Sequence, residues 1–381
     1  AATGTAFTNY LSQDPKLLQY SDAILKSALS NVAAQHPDIL LIPGDLTKDG
    51  ELVSHNAVAA LLGQYLPDTK IFVVPGNHDI NNPEARTYNG NNEAPTATIT
   101  KAQFASIYNN FGYANAIRDN ASMSYLAKPY ENLWILAIDA GMYDGNTVKA
   151  IVDGEIKAST MDWIKDMMTD AREANATVLT MMHHNALEHF KGQTTFQPGY
   201  TVNNWQMVAA ELANAGVTAI FTGHYHANDI TTANFNGKEV VDIETGSLVN
   251  FPSAYRVMTL KNRTLGVATQ YVTSVSTPLP GGMTFPEYSQ YFLSPLMDSF
   301  IQYMLVNQFG VPPSDAPSIS PLVLYGFQAH LAGDEKMPVD MRKMIAQVNQ
   351  ASPDLGFMLK TLWSDINTQD NNVTITLQNR P

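Results

Sequence analysis

Along the first two thirds of the chain, short apolar runs alternate with longer stretches whose apolar positions recur every three or four residues. Ile39-Leu40-Leu41-Ile42, Ile71-Phe72-Val73-Val74, Leu133 to Ile138, Val178 to Met182 and Ala219-Ile220-Phe221-Thr222 are the short runs. Bounded by Gly, Pro or polar turns, they read as buried strands. Between them the spacing predicts helices from Asp14-Pro15 to His36-Pro37, from Glu51 to about Gln64, around 102–111, over 161–174 and over 204–215. Asp14 is read as N-cap of the first, with Pro15 in its opening turn. Residues 81–130 read as a long interruption with Asn-rich punctuation at 89–92. Further strands are expected near 239–244, 254–260 and 266–273. Early alternation of strand and helix implies parallel pairing, and the late run of strands implies antiparallel pairing.

The Pro- and Gly-rich stretch 277–282 breaks this pattern and marks the best domain boundary. Residues 1–276 are expected to form one domain. Residues 283–381 form a mainly helical second one, with helices over 288–309 and 338–363.

Four of the apolar runs end in side chains that bind metals. The first leads into Pro43-Gly44-Asp45, the second into Pro75-Gly76-Asn77-His78-Asp79, the 178–182 run into His183-His184-Asn185, and the last into Gly223-His224-Tyr225-His226. Ligands of open α/β sheets bind at the carboxyl ends of strands, so these four ends are expected to converge. Asp and Asn oxygens with imidazole nitrogens suit Mn, Fe, Zn or Co better than Ca or Mg. Such a set fits hydrolysis of a phosphoester by one or two divalent ions, which acidify a water and polarise the ester.

Asp45 is read as the carboxylate that bridges two ions; the competing reading is an N-cap for the helix at 51. Asn77 supplies an adjustable oxygen ligand. His78 is placed as general acid or phosphate-facing group, with Asp79 orienting its ring. Of His183 and His184, adjacent side chains of a strand point to opposite faces, so at most one is a ligand. His183 is favoured because it completes the apolar run. His224 and His226, two apart, share a face if the backbone is extended. His189 either lines the cleft or sits in a solvated loop, Asp139 is read as a structural carboxylate, and His55 and His330 receive no chemical role.

Bulk properties narrow the partners. A net charge of −13 and the lack of Lys/Arg clusters argue against a nucleic-acid duplex. The absence of cysteine excludes disulfides, thiolate metal sites and a Cys nucleophile. No apolar run reaches the length that spans a membrane. Abundant Asn, Thr, Gln and Ala lean towards an exported bacterial protein.

In order and spacing, Gly44-Asp45, Gly76-Asn77-His78-Asp79, His183 and Gly223-His224-Tyr225-His226 resemble the calcineurin-like metallophosphoesterase family. The resemblance covers about residues 15–270. It implies a four-layer α/β/β/α sandwich holding two divalent ions. Asp45 would bridge them, Asn77, His183 and His224 would complete one shell, His226 would serve the other, and His78 would be the acid supported by Asp79. The family also opens with Asp-x-His after a first strand. That motif is expected to precede Ala1, the sequence beginning inside a longer precursor; without it only one ion has a full protein shell.

The helical extension and the insertion are similar to a group of bacterial cyclic-nucleotide phosphodiesterases, so a small cyclic diester is the expected substrate. The alternatives are a phosphomonoesterase for protein or sugar phosphates, and a non-enzymatic metal-binding module. The C-terminal extension either covers the cleft or forms a homodimer contact.

Overall fold

Strands β1 (Ile39–Ile42) and β2 (Lys70–Val73) pair in parallel, Ile42 opposite Val73, so both chains leave the sheet level with each other. The computed structural model describes residues 4–333, 335–364 and 369–377. Ala1 to Thr3, on which the expectation about the chain's start partly rests, lie outside them. The remaining strands are β3 (Arg86–Asn89), β4 (Asn92–Pro95), β5 (Ile117–Arg118), β6 (Tyr125–Tyr130), β7 (Leu133–Ile138), β8 (Thr177–Met182), β9 (Ala219–Thr222), β10 (Ile230–Phe235), β11 (Lys238–Glu244), β12 (Ala254–Lys261), β13 (Thr264–Tyr271) and β14 (Asn372–Thr376). The helices are α1 (Thr5–Leu11), α2 (Ser21–Ala33), α3 (Leu52–Tyr65), α4 (Lys101–Ile107), α5 (Ala158–Glu173), α6 (Gln193–Phe196), α7 (Trp205–Ala215), α8 (Phe285–Asn307), α9 (Ala316–Ala332), α10 (Val339–Ala351) and α11 (Pro353–Thr361).

The central sheet is mixed, in the order β10-β11-β9-β8-β7-β6-β5. β7, β8, β9 and β11 run parallel, and β5, β6 and β10 are antiparallel to their neighbours. Alternation along β7 assigns its two faces. Ile135 and Ala137 join a core shared with β1, β2, β13 and β14, whereas Trp134, Leu136 and Ile138 join a core shared with α5 and α7. Leu29 of α2 and Leu62 of α3 close the first core from the other side. Helix, sheet, sheet and helix thus lie in four layers, as the resemblance implied.

Several expectations need correction. The first long helix begins at Ser21 rather than at Asp14, because the Asp14 carboxylate accepts the Lys16 amide at 2.9 Å and closes a turn of its own. The 81–130 interruption contains the β3–β4 hairpin and the sheet strand β6, whose pairing with β7 is irregular after Ala127. β10 also went unread. β11 pairs in parallel with β9, contrary to the antiparallel expectation for late strands. The 338–363 helix is two, α10 and α11, separated at Ser352-Pro353.

After the turn at 280–282 come α8–α11, and then β14 pairs with β13 of the three-stranded sheet. The helices bury a core that includes Phe190, Tyr225 and Ala227 from the loops that follow β8 and β9. Among the described residues no helix is long and apolar enough to cross a membrane.

Candidate metal centre

The ends of β1 and β2 approach so closely that only glycine fits between them. A Cβ on Gly76 would lie 2.1 Å from Asp45 Oδ1, and one on Gly44 would lie 2.7 Å from the Gly76 nitrogen and from His183 Nδ1. Gly44 and Asp45 both take positive φ, 89° and 50°, which turns the Asp45 carboxylate towards β2. The residue at the N-cap of α3 is Glu51, so the capping reading of Asp45 falls. Asp45 Oδ1 accepts the His78 amide at 3.2 Å, and Oδ2 lies 3.4 Å from His183 Nε2.

β8 and β9 deliver the second half of the cluster. Met181 pairs with Phe221, and the Gly223 amide donates to the His183 carbonyl at 3.0 Å, so His183 and His224 emerge together. Imidazole centroids of His183, His184 and His224 are separated by 4.4 to 5.2 Å. His183 Nδ1 donates to the Pro43 carbonyl at 2.8 Å, so in the neutral ring Nε2 is the nitrogen that carries the lone pair. That nitrogen faces Asn77 Oδ1 at 3.2 Å and Asp45 Oδ2 at 3.4 Å.

Three lone-pair atoms thus point at one another. The arrangement is stable only with a cation among them, either a proton or a metal. Asp45, His183 and His224 each offer a ligand atom within 4.8 Å of the others. His224 Nε2 donates to the Gly199 carbonyl at 3.2 Å, freeing Nδ1. The donor set therefore fits a transition-metal dication.

Electrostatics agree with that fit. Burial alone would raise the Asp45 carboxyl, but His183, His78 and Lys16 hold it well below the usual carboxylate range. Burial alone would lower His183, yet the Asp45 charge carries it above the ordinary value. Burial, with its histidine neighbours, pushes His224 well down and His184 down to about 3, which keeps both rings neutral. The adjacent histidines make different contacts. His184 Nε2 donates to the Val152 carbonyl at 3.0 Å, while His183 meets Asp45 and Asn77.

Two sequence-based placements change. His224 and His226 have φ of 74° and 70°, so the segment is not extended and the two rings do not share a strand face. His226 Nδ1 lies 2.9 Å from the Asn250 side-chain nitrogen, and burial with the nearby Lys16 charge pushes the ring down to about 3. It stays close enough to feel Asp45, His183 and His78. Asp79 does not orient His78. Its carboxylate accepts the amides of Gly76, Leu46 and Thr47 at 2.9, 3.2 and 3.0 Å and the Thr47 hydroxyl at 3.0 Å. His55, far from idle, is fully buried and donates to the Asp79 carbonyl at 2.9 Å. Asp139 accepts the Met123 and Gly141 amides, the structural role expected of it.

The acid beside His78 is Asp49, 3.6 Å from its Nδ1, which the sequence did not single out. Asp49 also accepts Tyr10 Oη of α1 at 2.9 Å and pairs with Lys48 at 3.0 Å. Burial would raise it, but His78 and Lys48 hold it down at about 2. A carboxyl depressed on folding contributes stability that is present above its unfolded value near 3.8 and is lost as pH falls through about 2. Asp49→Asn is therefore expected to cost about 2 kcal/mol at pH 7. Urea unfolding of both proteins between pH 7 and 3 should show that difference shrinking only below about pH 4.

The family profile described as calcineurin-like phosphoesterase matches residues 15–228. A probable cyclic nucleotide phosphodiesterase of Vesicomyosocius okutanii subsp. Calyptogena okutanii is 37% identical over 67 residues, 18% of this chain and 28% of that protein. Another protein so described, from Pseudoalteromonas sp. (strain SM9913), is 44% identical over 52 residues, 14% of this chain and 20% of that protein. The chain thus spans under a third of the length of either relative. Among solved structures, a dimetal phosphatase from Danio rerio superposes with a TM-score of 0.48 at 14% identity, over 66% of this chain and 86% of that one.

Proposed function

The chain belongs to the calcineurin-like phosphoesterase family, and from that premise we propose that it is a phosphodiesterase acting on cyclic nucleotides or related small diesters. Membership makes it a metallophosphoesterase, a hydrolase of phosphoric esters. The observation that carries the metal assignment is the lone pair of His183 Nε2 facing two further ligand oxygens, Asn77 Oδ1 and Asp45 Oδ2. The two partial relatives, both described as probable cyclic nucleotide phosphodiesterases, support the diester reading.

In this proposal Asp45, Asn77, His183 and His224 would hold one divalent ion, and Asp45 and His226 would serve a second. Bound ions of this kind activate water and neutralise charge on the ester. The chain's own residues do the rest. Burial keeps the imidazoles of His224 and His226 neutral, which is the ligand form. The Pro43 and Gly199 carbonyls fix the tautomers of His183 and His224. His78 is half-buried at the rim and delivers its ring proton to the leaving oxygen, with Asp49 holding the ring in place. Lys16 places a further positive charge near Asp45.

The test compares kcat/KM for bis(p-nitrophenyl) phosphate, p-nitrophenyl phosphate and a 3′,5′-cyclic nucleotide with Mn²⁺ present. Preference for the diesters, with cyclic nucleotide turned over, is expected. Preference for the monoester would replace this reading with a phosphomonoesterase, and no turnover of any ester would leave a metal-binding module.

A further inference from the structure

A second group of ionisable side chains is buried where the C-terminal helices meet the central sheet. His189 follows β8, Asp229 precedes β10, Asp242 and Glu244 lie on β11, and His330 ends α9 with Glu335 just beyond. Five of these six, all but Glu335, expose no more than 1% of their surface. His189 Nδ1 donates to Asp229 Oδ1, and its Nε2 lies 3.6 Å from Asp242 and 3.8 Å from Glu244. His330 Nδ1 lies 2.9 Å from Glu335 Oε1 and 3.9 Å from Asp229 Oδ2.

Burying ionised groups is costly unless every lone pair and proton is matched. Here they are not. Asp229 Oδ2, Glu244 Oε2, Glu335 Oε2, His189 Nε2 and His330 Nε2 are all buried without a hydrogen-bond partner. Arg256 is the nearby permanent cation, but its hydrogen bonds go to the carbonyls of Asp229, Glu244 and Asp370 and to the Thr269 hydroxyl. Even with both imidazoles protonated, the four carboxyl groups of Asp229, Asp242, Glu244 and Glu335 outnumber the three cationic groups, and burial with the Asp242 and Asp229 charges pushes that of Glu244 well up. Asp370, whose charge also acts on Arg256, adds a fifth carboxylate.

We propose that Asp229, His330 and Glu335 form a second divalent-cation site, structural in role, that takes a transition-metal ion such as Zn²⁺ or Mn²⁺. Each of the three offers one ligand atom within 4.8 Å of the other two. Mixed carboxylate and imidazole donors favour those ions over Ca²⁺ or Mg²⁺. The ion displaces the proton that His330 Nδ1 now shares with Glu335 and cancels the excess negative charge. It ties the end of α9 to the loop between β9 and β10. The His330 ring also packs on Tyr225, with centroids 5.7 Å apart, and Tyr225 stands between His224 and His226. The site therefore anchors, from beneath, the loop that presents both of those histidines.

Full-length protein is stripped with a chelator, equilibrated with Zn²⁺, dialysed, and its ions counted per chain by elemental mass spectrometry. The Asn77→Ala/His183→Ala background removes the strand-end centre, so this count does not depend on the catalytic proposal. In that background one ion per chain is expected, with a Zn²⁺-dependent rise in Tm. Adding His330→Gln and Glu335→Gln should remove both, and Glu335→Gln alone, the milder change, should weaken Zn²⁺ at least about tenfold. Should the combined protein not fold, the Glu335→Gln measurement decides alone. An ion count and Tm response unchanged by Glu335→Gln, or no ion in the background protein, would show a metal-free ion-pair network and overturn the proposal.

Discussion

Asn77→Ala lowers kcat/KM for Mn²⁺-supported diester hydrolysis by at least about a hundredfold, because even groups that only orient metal ligands are worth 10–100-fold. The expectation rests on how little else Asn77 does. It is 1% exposed, its Oδ1 faces the lone pair of His183 Nε2 at 3.2 Å, and its Nδ2 has no hydrogen-bond partner. An amide buried this way contributes nothing that favours folding, since half of it is unsatisfied and the other half faces another acceptor. Its removal should change the unfolding free energy by no more than about 1 kcal/mol, since no satisfied hydrogen bond is lost. Steady-state kinetics together with urea unfolding check both halves. Retained turnover in Asn77→Ala would remove it from the centre.

Asp79→Ala should show the opposite signature. Three backbone amides and the Thr47 hydroxyl converge on the Asp79 carboxylate, which is fully buried. Those amides belong to the loops leaving β1 and β2, so one side chain clamps both strand ends. Truncation leaves three buried donors unmatched, at about 1–3 kcal/mol each. A loss on the order of 4 kcal/mol is expected after partial rehydration. Urea unfolding measures it. Activity should fall with the folded fraction and recover towards the parent value at low temperature. A kcat loss with an unchanged unfolding midpoint would instead make Asp79 the residue that positions His78, as its place in the sequence suggested.

That contrast shows where the sequence was informative. Apolar runs closed by Gly or Pro located the strand ends, because burial on both faces of a sheet needs continuous hydrophobicity. Strand alternation predicts that His183 and His184 point apart, and they do make different contacts, His183 with Asp45 and Asn77 and His184 with the Val152 carbonyl. The parity argument failed for His224 and His226, where both residues adopt left-handed φ and no side-chain pattern encodes that. Asp79 was misplaced for a related reason: which amides fold back onto a carboxylate depends on how two loops meet, not on the neighbour in the chain. Asp49, Lys48, Tyr10 and Lys16 come together from segments in which no local pattern marks a site. One signal was present and went unread. Val240-Val241-Asp242-Ile243-Glu244 puts two acids on the buried part of β11, which calls for a counter-charge nearby.

The central claim is that Asp45, Asn77, His183 and His224 grip a cation rather than one another. A crystal grown with Mn²⁺ and measured on both sides of the manganese absorption edge tests it directly. The account predicts an anomalous peak at roughly 2.0–2.2 Å from oxygen and nitrogen atoms of these four side chains. A map with no peak there, and a proton shared by His183 Nε2 and Asp45 Oδ2 holding the site together, would contradict it.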